Sequence, residues 1–193
     1  MSRNWSLFLV AAFALGFGVK SYLDNQNTKP ELVDSSTSQQ TVLFGENNQA
    51  VNIFDVNDPR IRVVYFGFTR CPDVCPTSLA MLAGALNQID DAQKAQLRPM
   101  FISLDPERDE ADASAKYAHY FHPMIEGLSA PLDVTTPLAH NYGVIFRKTE
   151  LEGSELKYTL DHSSYFYFLK PDGTLITKVC LLYTSDAADD TCC

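Results

Sequence analysis

Three stretches with different patterns of apolar and polar residues follow one another along the chain. Residues 5–19 (WSLFLVAAFALGFGV) are uncharged and mostly apolar, whereas residues 25–40 (NQNTKPELVDSSTSQQ) are mostly polar. From Thr41 onward, short apolar runs alternate with polar turns, as in a globular domain. The pattern therefore predicts an N-terminal membrane anchor at residues 1–22, a flexible linker at 23–40 and one domain at 41–179.

The anchor is predicted from a short apolar run. Residues 5–19 number fifteen, whereas a full bilayer span usually needs about 20 residues. Lys20 can extend its side chain to the interface and Tyr22 can lie there, so a single span is feasible. A cleaved signal peptide is the alternative, but no A-x-A-like cleavage site follows the run, which favours an uncleaved anchor. Arg3 precedes the run, so we expect the domain on the extracytoplasmic side.

Within the domain, β-branched and aromatic runs predict strands, and apolar residues at helical spacing predict helices. Strands are expected at residues 41–44, 50–54, 61–68, 99–104, 144–148, 163–169 and 174–179. Helices are expected at residues 76–89, 110–121 and 137–142. Pro76 and Pro137 would each occupy a first helical turn, with Thr136 as the N-cap of the last helix.

The order of these elements predicts an α/β fold. Strands and helices alternate, and a hairpin around the Lys170–Gly173 turn closes the domain. A cysteine pair directly follows the apolar strand at 61–68 and precedes a helix, which is typical of thioredoxin-like proteins. We therefore expect a thioredoxin-like fold with a central mixed sheet flanked by helices.

Composition and charge narrow the classes of function. The chain has 193 residues, of which 46% are hydrophobic, enough for one packed domain besides the anchor and linker. The formal net charge is -9, and no run of Lys and Arg occurs. Because phosphate backbones are bound by clustered cations, we expect no nucleic-acid partner.

The cysteines supply the first candidate chemistry. Five occur, and Cys71 and Cys75 form a C-x-x-x-C pair that lies on one face if the turn is helical. The free N–H groups of a helix N-terminus favour the thiolate form, which binds metals and attacks disulfides. Two thiolates favour Cu(I), and an imidazole ligand would let the site hold Cu(II) as well. The pair is therefore either a metal site or a redox pair.

Four histidines are available as a further ligand. His119, His122 and His140 lie in or near predicted helices and are most simply surface residues. His162 lies in a short polar segment just before an apolar strand, where a loop could lean over the cysteine helix. Spacing alone leaves the role of His162 open.

Three motifs carry a resemblance to a known family. FGFTRCPDVCP at 66–76, SLDPERD at 103–109 and DHS at 161–163 occur in the order and spacing of the Sco/SenC family of cytochrome oxidase assembly proteins. The resemblance covers residues 44–179. It implies a thioredoxin-like domain that binds one copper ion, as Cu(I) or Cu(II), through Cys71, Cys75 and His162.

The resemblance also implies a biological role. The expected role is assembly of the binuclear copper centre of cytochrome c oxidase, with subunit II of the oxidase and other copper chaperones as partners. The family is further linked to thiol–disulfide exchange on the cysteines of that subunit. Without a long Arg-rich transit segment, the short anchor suits a single-pass protein of the bacterial inner membrane whose domain faces the periplasm.

Three functions compete on these residues. A copper metallochaperone needs Cys71, Cys75 and His162 together. A thiol–disulfide oxidoreductase acting on the oxidase subunit needs Cys71 and Cys75 as its redox pair, but not His162. A peroxiredoxin-like peroxidase would need a peroxide-activating cysteine motif, which the Pro-Asp-Val spacer does not resemble. We favour the metallochaperone.

Acidic residues beside the motifs have open roles. Asp73 either tunes the charge of the cysteines or caps the turn. Asp161 either orients His162 or is an ordinary loop residue. In the segment Asp105–Asp109, the aspartates are expected to cap a helix and Arg108 to pair locally, with docking of a partner as the alternative.

The end of the chain departs from the family. Residues 180–193 (CLLYTSDAADDTCC) contain no helical apolar stripe, although the family continues into a final amphipathic helix. The run CLLYTSDAADD resembles the translation of a sequencing adapter. We therefore expect a non-native tail on a C-terminally truncated chain; removing its three acidic residues would change the net charge from -9 to -6.

Overall fold

The computed structural model describes residues 41–180. The predicted anchor and linker lie outside the described residues, as does the chain from residue 181 onward. Within the described part, no helix is both long and apolar enough to cross a bilayer. The division of the chain into anchor, linker, domain and tail therefore stays a prediction.

The domain contains nine described strands and four α-helices. The strands are β1 (Val42–Phe44), β2 (Ala50–Asn52), β3 (Ile61–Gly67), β4 (Leu97–Ser103), β5 (Glu126–Leu128), β6 (Phe146–Glu150), β7 (Tyr158–His162), β8 (Tyr165–Leu169) and β9 (Leu175–Cys180). The helices are α1 (Val74–Gln88), α2 (Asp91–Lys94), α3 (Ala111–Phe121) and α4 (Leu132–Asn141).

A five-stranded mixed sheet forms the centre of the domain, in the order β5-β4-β3-β8-β9. Strand β3 pairs in parallel with β4, and β4 with β5, whereas β8 is antiparallel to both β3 and β9. Two small antiparallel sheets, β1-β2 and β6-β7, complete the fold. The predicted α/β class, with a central mixed sheet flanked by helices, is confirmed.

Strand β3 is the core of the sheet because its apolar run is covered on both faces. Six of its seven residues are buried, as expected for a continuous apolar run in a central strand. Helix α1 buries Leu79, Ala83 and Leu86 on the face that the 3.6-residue spacing predicts. This packing places the start of α1 beside the end of β3, where the cysteine pair lies.

Two helix starts differ from the sequence prediction. Helix α1 begins at Val74, two residues before the expected start, and Pro76 lies in its first turn as predicted, where the missing N–H has no helical acceptor in any case. Helix α4 begins at Leu132, and Pro137 therefore lies inside it. The backbone N–H groups of Val134 and Thr135 donate to Pro131 O at 2.9 and 3.0 Å, which starts the helix one turn before the predicted N-cap.

Strand β7 was not predicted, and the loop expected at His162 is wrong. Tyr158 and Leu160 are buried while Asp161 is exposed, a two-residue alternation too short to stand out in the sequence. Pairing with β6 orders this segment, and the register places His162 opposite Phe146. His162 is therefore the last residue of a strand that is paired with β6.

Candidate metal centre

The cysteine pair lies on the turn that connects β3 to α1. Cys71 N donates to Phe68 O at 3.3 Å, which closes the turn. Cys75 lies in the first turn of α1, and its backbone N–H donates to Cys71 Sγ at 3.3 Å. The two sulfurs therefore lie on the same side of the helix start, as the spacing predicts.

His162 reaches the cysteines from strand β7. Its Nε2 atom lies 3.3 Å from Cys75 Sγ, and its Nδ1 atom lies 3.1 Å from the backbone oxygen of Ser163. The ligand atoms of Cys71, Cys75 and His162 all lie within 4.8 Å of one another. Two sulfurs and one imidazole nitrogen thus converge at one point, although 87 residues separate Cys75 from His162.

Aromatic rings and a glycine enclose this point. The ring of Phe68 meets the His162 ring edge-on at 5.8 Å, and that of Tyr65 does so at 6.3 Å. Gly67 leaves room for Cys75 Sγ, which would lie only 2.9 Å from a Cβ atom at that position. The packing restricts both the imidazole and the sulfur, so the ligand atoms are pre-arranged.

The two thiols have opposite acidities. The pKa of Cys71 is lowered to about 4, chiefly because the Cys75 thiol donates a hydrogen bond to its sulfur, with a smaller contribution from His162. Burial raises the pKa of Cys75, and the neighbouring Cys71 sulfur raises it further. Without metal, Cys71 is thus the thiolate of the pair and Cys75 keeps its proton.

A small cavity gives access to the cluster. Its volume is about 280 Å³, and Cys71, Asp73 and His162 are among its lining residues. Cys75 is buried, whereas Cys71 and His162 are half-buried. An ion or a partner thiol can therefore reach the ligands through this cavity. A larger cleft of about 680 Å³, lined by Phe44, Glu107 and Leu132 among others, does not include the cluster.

The remaining histidines take no part in the cluster. His119 and His140 are exposed, and His122 Nδ1 accepts a hydrogen bond from Met124 N at 3.1 Å. Among residues 41–180, Cys71, Cys75 and His162 form the one group of three metal-binding side chains.

The two aspartates that flank the ligands lie outside the group of converging ligand atoms. Asp73 is the N-cap residue of α1, although its side chain makes no capping hydrogen bond. Asp161 accepts hydrogen bonds from Thr149 at 2.7 Å and Arg147 at 3.5 Å, so it faces away from His162. The alternative in which Asp161 orients His162 is therefore wrong for this structure.

In the Asp105–Asp109 segment, the predicted pairing of Arg108 is confirmed, whereas the predicted capping by Asp109 is wrong. Arg108 pairs with Asp105, as expected. Asp109 does not cap helix α3, because Glu110 is the N-cap residue. The Asp109 carboxyl group instead accepts hydrogen bonds from Thr69, two residues before Cys71. Sequence reasoning missed Thr69 in this role because no local pattern indicates a contact between residues 40 positions apart.

Comparison with known proteins decides the family. The SCO1/SenC family model matches residues 58–190, which include all three motifs and the cysteine–histidine cluster. The chain belongs to the SCO1/SenC family. The resemblance read from the three motifs is therefore confirmed.

Curated SCO proteins from several organisms are similar to this SCO1/SenC chain. Protein SCO1 homolog 1, mitochondrial, of Arabidopsis thaliana is 40% identical over 184 residues, covering 88% of this chain and 54% of that protein. Protein SCO2, mitochondrial, of Saccharomyces cerevisiae is 36% identical over 117 residues, covering 61% and 39%. The chain thus spans about half the length, or less, of these relatives.

Solved SCO structures share the fold. Arabidopsis thaliana ScoI with copper bound is 33% identical with a TM-score of 0.63, covering 72% of this chain and 84% of that one. Bradyrhizobium japonicum ScoI with copper bound is 30% identical with a TM-score of 0.64, covering 74% and 88%. Copper is therefore present in two structures of the family.

The donor set of this SCO1/SenC chain fits a soft metal ion. Two cysteine sulfurs suit Cu(I), and the imidazole nitrogen adds a ligand that Cu(II) accepts. A hard cation such as Mg²⁺ would require oxygen ligands, and neither Asp73 nor Asp161 joins the group of converging ligand atoms.

Proposed function

We propose that this chain is a copper metallochaperone that binds one copper ion through Cys71, Cys75 and His162. The observation that carries the proposal is the convergence of these three ligand atoms within 4.8 Å in a member of the SCO1/SenC family. Copper in two solved SCO structures supports the choice of metal.

Cys71, Cys75 and His162 each have a different role in copper binding. Cys71 offers a thiolate from the half-buried side of the site, so it makes the first contact. Cys75 is buried and protonated, and it releases its proton when it becomes a ligand. His162 adds a nitrogen ligand that matters more for Cu(II) than for Cu(I), since two thiolates already suit Cu(I).

The proposed setting rests on membership of the SCO1/SenC family and on the sequence of residues 1–40. Copper would be delivered during assembly of the binuclear copper centre of cytochrome c oxidase, with subunit II as acceptor and other copper chaperones as partners. Residues 1–22 would anchor the protein in a bacterial inner membrane, and residues 23–40 would tether the domain on the periplasmic side. The apolar run at residues 5–19 supports the anchor.

The first experiment is metal loading of the full-length chain in detergent, with Cu(I) under reducing conditions and then with Cu(II). The wild type should bind one copper per chain. His162→Ala should lose Cu(II) and hold Cu(I) about tenfold more weakly. His119→Ala is the matched control, because His119 is exposed on α3, and it should behave like the wild type.

An oxidoreductase would give a different result. Weak copper binding that His162→Ala leaves unchanged, together with ready reduction of a substrate disulfide by Cys71 and Cys75, would replace the metallochaperone proposal.

A further inference from the structure

The segment of residues 105–109, here called the clamp segment, lies between β4 and α3 and contacts both halves of the metal centre. One set of its hydrogen bonds reaches the turn that carries Cys71. Another set reaches strand β7, which ends at His162. Thr69 lies 40 residues before its partner Asp109, and Tyr158 lies 53 residues after its partner Asp105, so both contacts are long-range.

The first contact is made by Asp109, which is fully buried. Its carboxyl group accepts hydrogen bonds from Thr69 N at 2.7 Å, Thr69 Oγ1 at 2.5 Å and Ser103 Oγ at 2.8 Å. A buried carboxylate without such donors is costly, so the Thr69 backbone is held where it can donate. Thr69 lies two residues before Cys71, and its position therefore directs the cysteine turn.

The second contact is made by Asp105 and Arg108 with Tyr158. The Tyr158 hydroxyl donates to Asp105 Oδ1 at 2.6 Å, and both groups are buried. The Arg108 guanidinium lies 3.6 Å from the centre of the Tyr158 ring and donates to Tyr158 O at 3.0 Å. Tyr158 begins the strand that His162 ends, so these contacts hold the strand at its far end.

We propose that the clamp segment positions the two ligand groups relative to each other, with Asp109 holding the cysteine turn and Asp105 holding the histidine strand through Tyr158. The inference rests on the proposed copper site, and it assigns the clamp residues a positioning role without direct contact with the metal. Two separable contacts imply that the cysteine half and the histidine half can be loosened one at a time.

The test compares Asp109→Asn and Tyr158→Phe in the full-length chain, well below the melting temperature of each variant. Asp109→Asn should weaken Cu(I) and Cu(II) alike by about tenfold or more, since both ions need the cysteines. Tyr158→Phe should weaken Cu(II) by about tenfold and Cu(I) by clearly less, since it affects only the histidine half, on which Cu(II) depends more. A general loss of stability would not separate the two ions in this way.

Matched controls remove the same chemical groups elsewhere. Glu110→Gln removes an exposed carboxylate next to the clamp segment, and Tyr120→Phe removes an exposed hydroxyl from α3. Neither should change the affinity for either ion. If Asp109→Asn does not fold, Thr69→Val removes one of the same hydrogen bonds and carries the same expectation.

A metal-independent measurement keeps the positioning role separate from the proposed function. In NMR spectra of the metal-free protein, Asp109→Asn should shift the Cys71 resonances and Tyr158→Phe those of the His162 ring. Wild-type copper affinities in both variants, or unchanged resonances, would overturn the positioning role. If the wild type binds no copper but these resonances shift, the proposed function fails and the positioning of the side chains stands.

Discussion

Gly67 and Cys75 are packed so closely that no side chain fits between them. A Cβ atom on Gly67 would lie 2.9 Å from Cys75 Sγ, 3.0 Å from Tyr65 Cε1 and 3.1 Å from Phe101 Cε2. Real Cβ atoms essentially never approach a sulfur so closely, so any larger residue must displace its neighbours. The glycine at the end of β3 is thus required by the position of a candidate copper ligand.

Gly67→Ala should therefore weaken both folding and copper binding. Overpacking of a dense core costs about 1–3 kcal/mol, and displacement of Cys75 Sγ should raise the copper dissociation constant by about tenfold. Chemical denaturation and competition with a copper chelator measure the two effects.

Gly84→Ala is the matched control for this prediction. A Cβ atom at Gly84 would meet nothing within 4 Å, and alanine favours the helix over glycine by about 0.5–1 kcal/mol. This variant should be as stable as the wild type or more so, with unchanged copper affinity. Equal behaviour of the two variants would contradict the steric argument.

The pKa of Cys71 predicts an unusual thiolate titration in the reduced, metal-free protein. Absorbance at 240 nm, taken as the difference between the wild type and Cys71→Ser, should show a thiolate that forms near pH 4. An ordinary thiol ionises near pH 8.5. In Cys75→Ala the transition should move to higher pH, because the largest stabilising hydrogen bond to the Cys71 sulfur is lost. A wild-type transition near pH 8.5 would refute this account.

The parts of the fold that the sequence predicts are those that local patterns determine. The apolar run of β3, the buried stripe of α1 and the turn at Lys170–Gly173 depend on neighbouring residues, and all three lie where expected. Gly173 in the turn has a positive φ of 87°, which suits glycine. The C-x-x-x-C spacing likewise predicts two sulfurs on one side of a helix start.

Tertiary pairing decides the parts that local patterns do not reveal. Strand β7 forms because it pairs with β6, and this pairing orders the segment that ends at His162. The hydrogen bond between Thr69 and Asp109 is equally non-local. Arg62 is a third such residue, because it lies within an otherwise apolar run and is fully buried, and no local pattern indicates the distant backbone oxygens that it binds.

Arg62→Met should destabilise the domain although methionine suits a buried strand. The guanidinium donates to the backbone oxygens of Ile53 at 3.0 Å, Asp58 at 2.7 Å and Asp55 at 2.8 Å. A buried carbonyl left without a donor costs about 1–3 kcal/mol. The bond to Ile53 O is buried and the other two are partly buried, so a total of about 2–3 kcal/mol is expected. Urea denaturation measures the change in the free energy of unfolding.

Arg147→Met is the control for the arginine prediction. The Arg147 side chain is 78% exposed and makes one 3.5 Å contact with Asp161. Its loss should change stability by less than about 0.5 kcal/mol. A small effect of Arg62→Met, similar to that of Arg147→Met, would show that the loop carbonyls find water or other donors.

The lowered pKa of Asp58 makes the free energy of unfolding of the domain depend on pH in the acidic range. Its carboxylate accepts two hydrogen bonds from Arg60, both at 2.8 Å, and Arg98 and Arg62 lie 3.6 and 3.7 Å away. The hydrogen bond from Arg60 is the main reason why the pKa of Asp58 falls to about 2. In the unfolded chain an aspartate has a pKa of about 3.9.

A pKa that is lower in the folded state stabilises the protein above the unfolded pKa, and this contribution is lost as the pH falls through the folded pKa. Asp58→Asn should therefore reduce the free energy of unfolding by about 1–2 kcal/mol at pH 7, allowing for solvent screening of the pair. The difference from wild type should shrink between about pH 4 and pH 2, as urea denaturation at each pH can measure. In an Arg60→Met background the effect of Asp58→Asn on the free energy of unfolding at pH 7 should be smaller, since the hydrogen bond that lowers the Asp58 pKa most is gone. A difference that stays constant down to pH 2 would mean that the Asp58 carboxylate is not the group that the acid titrates.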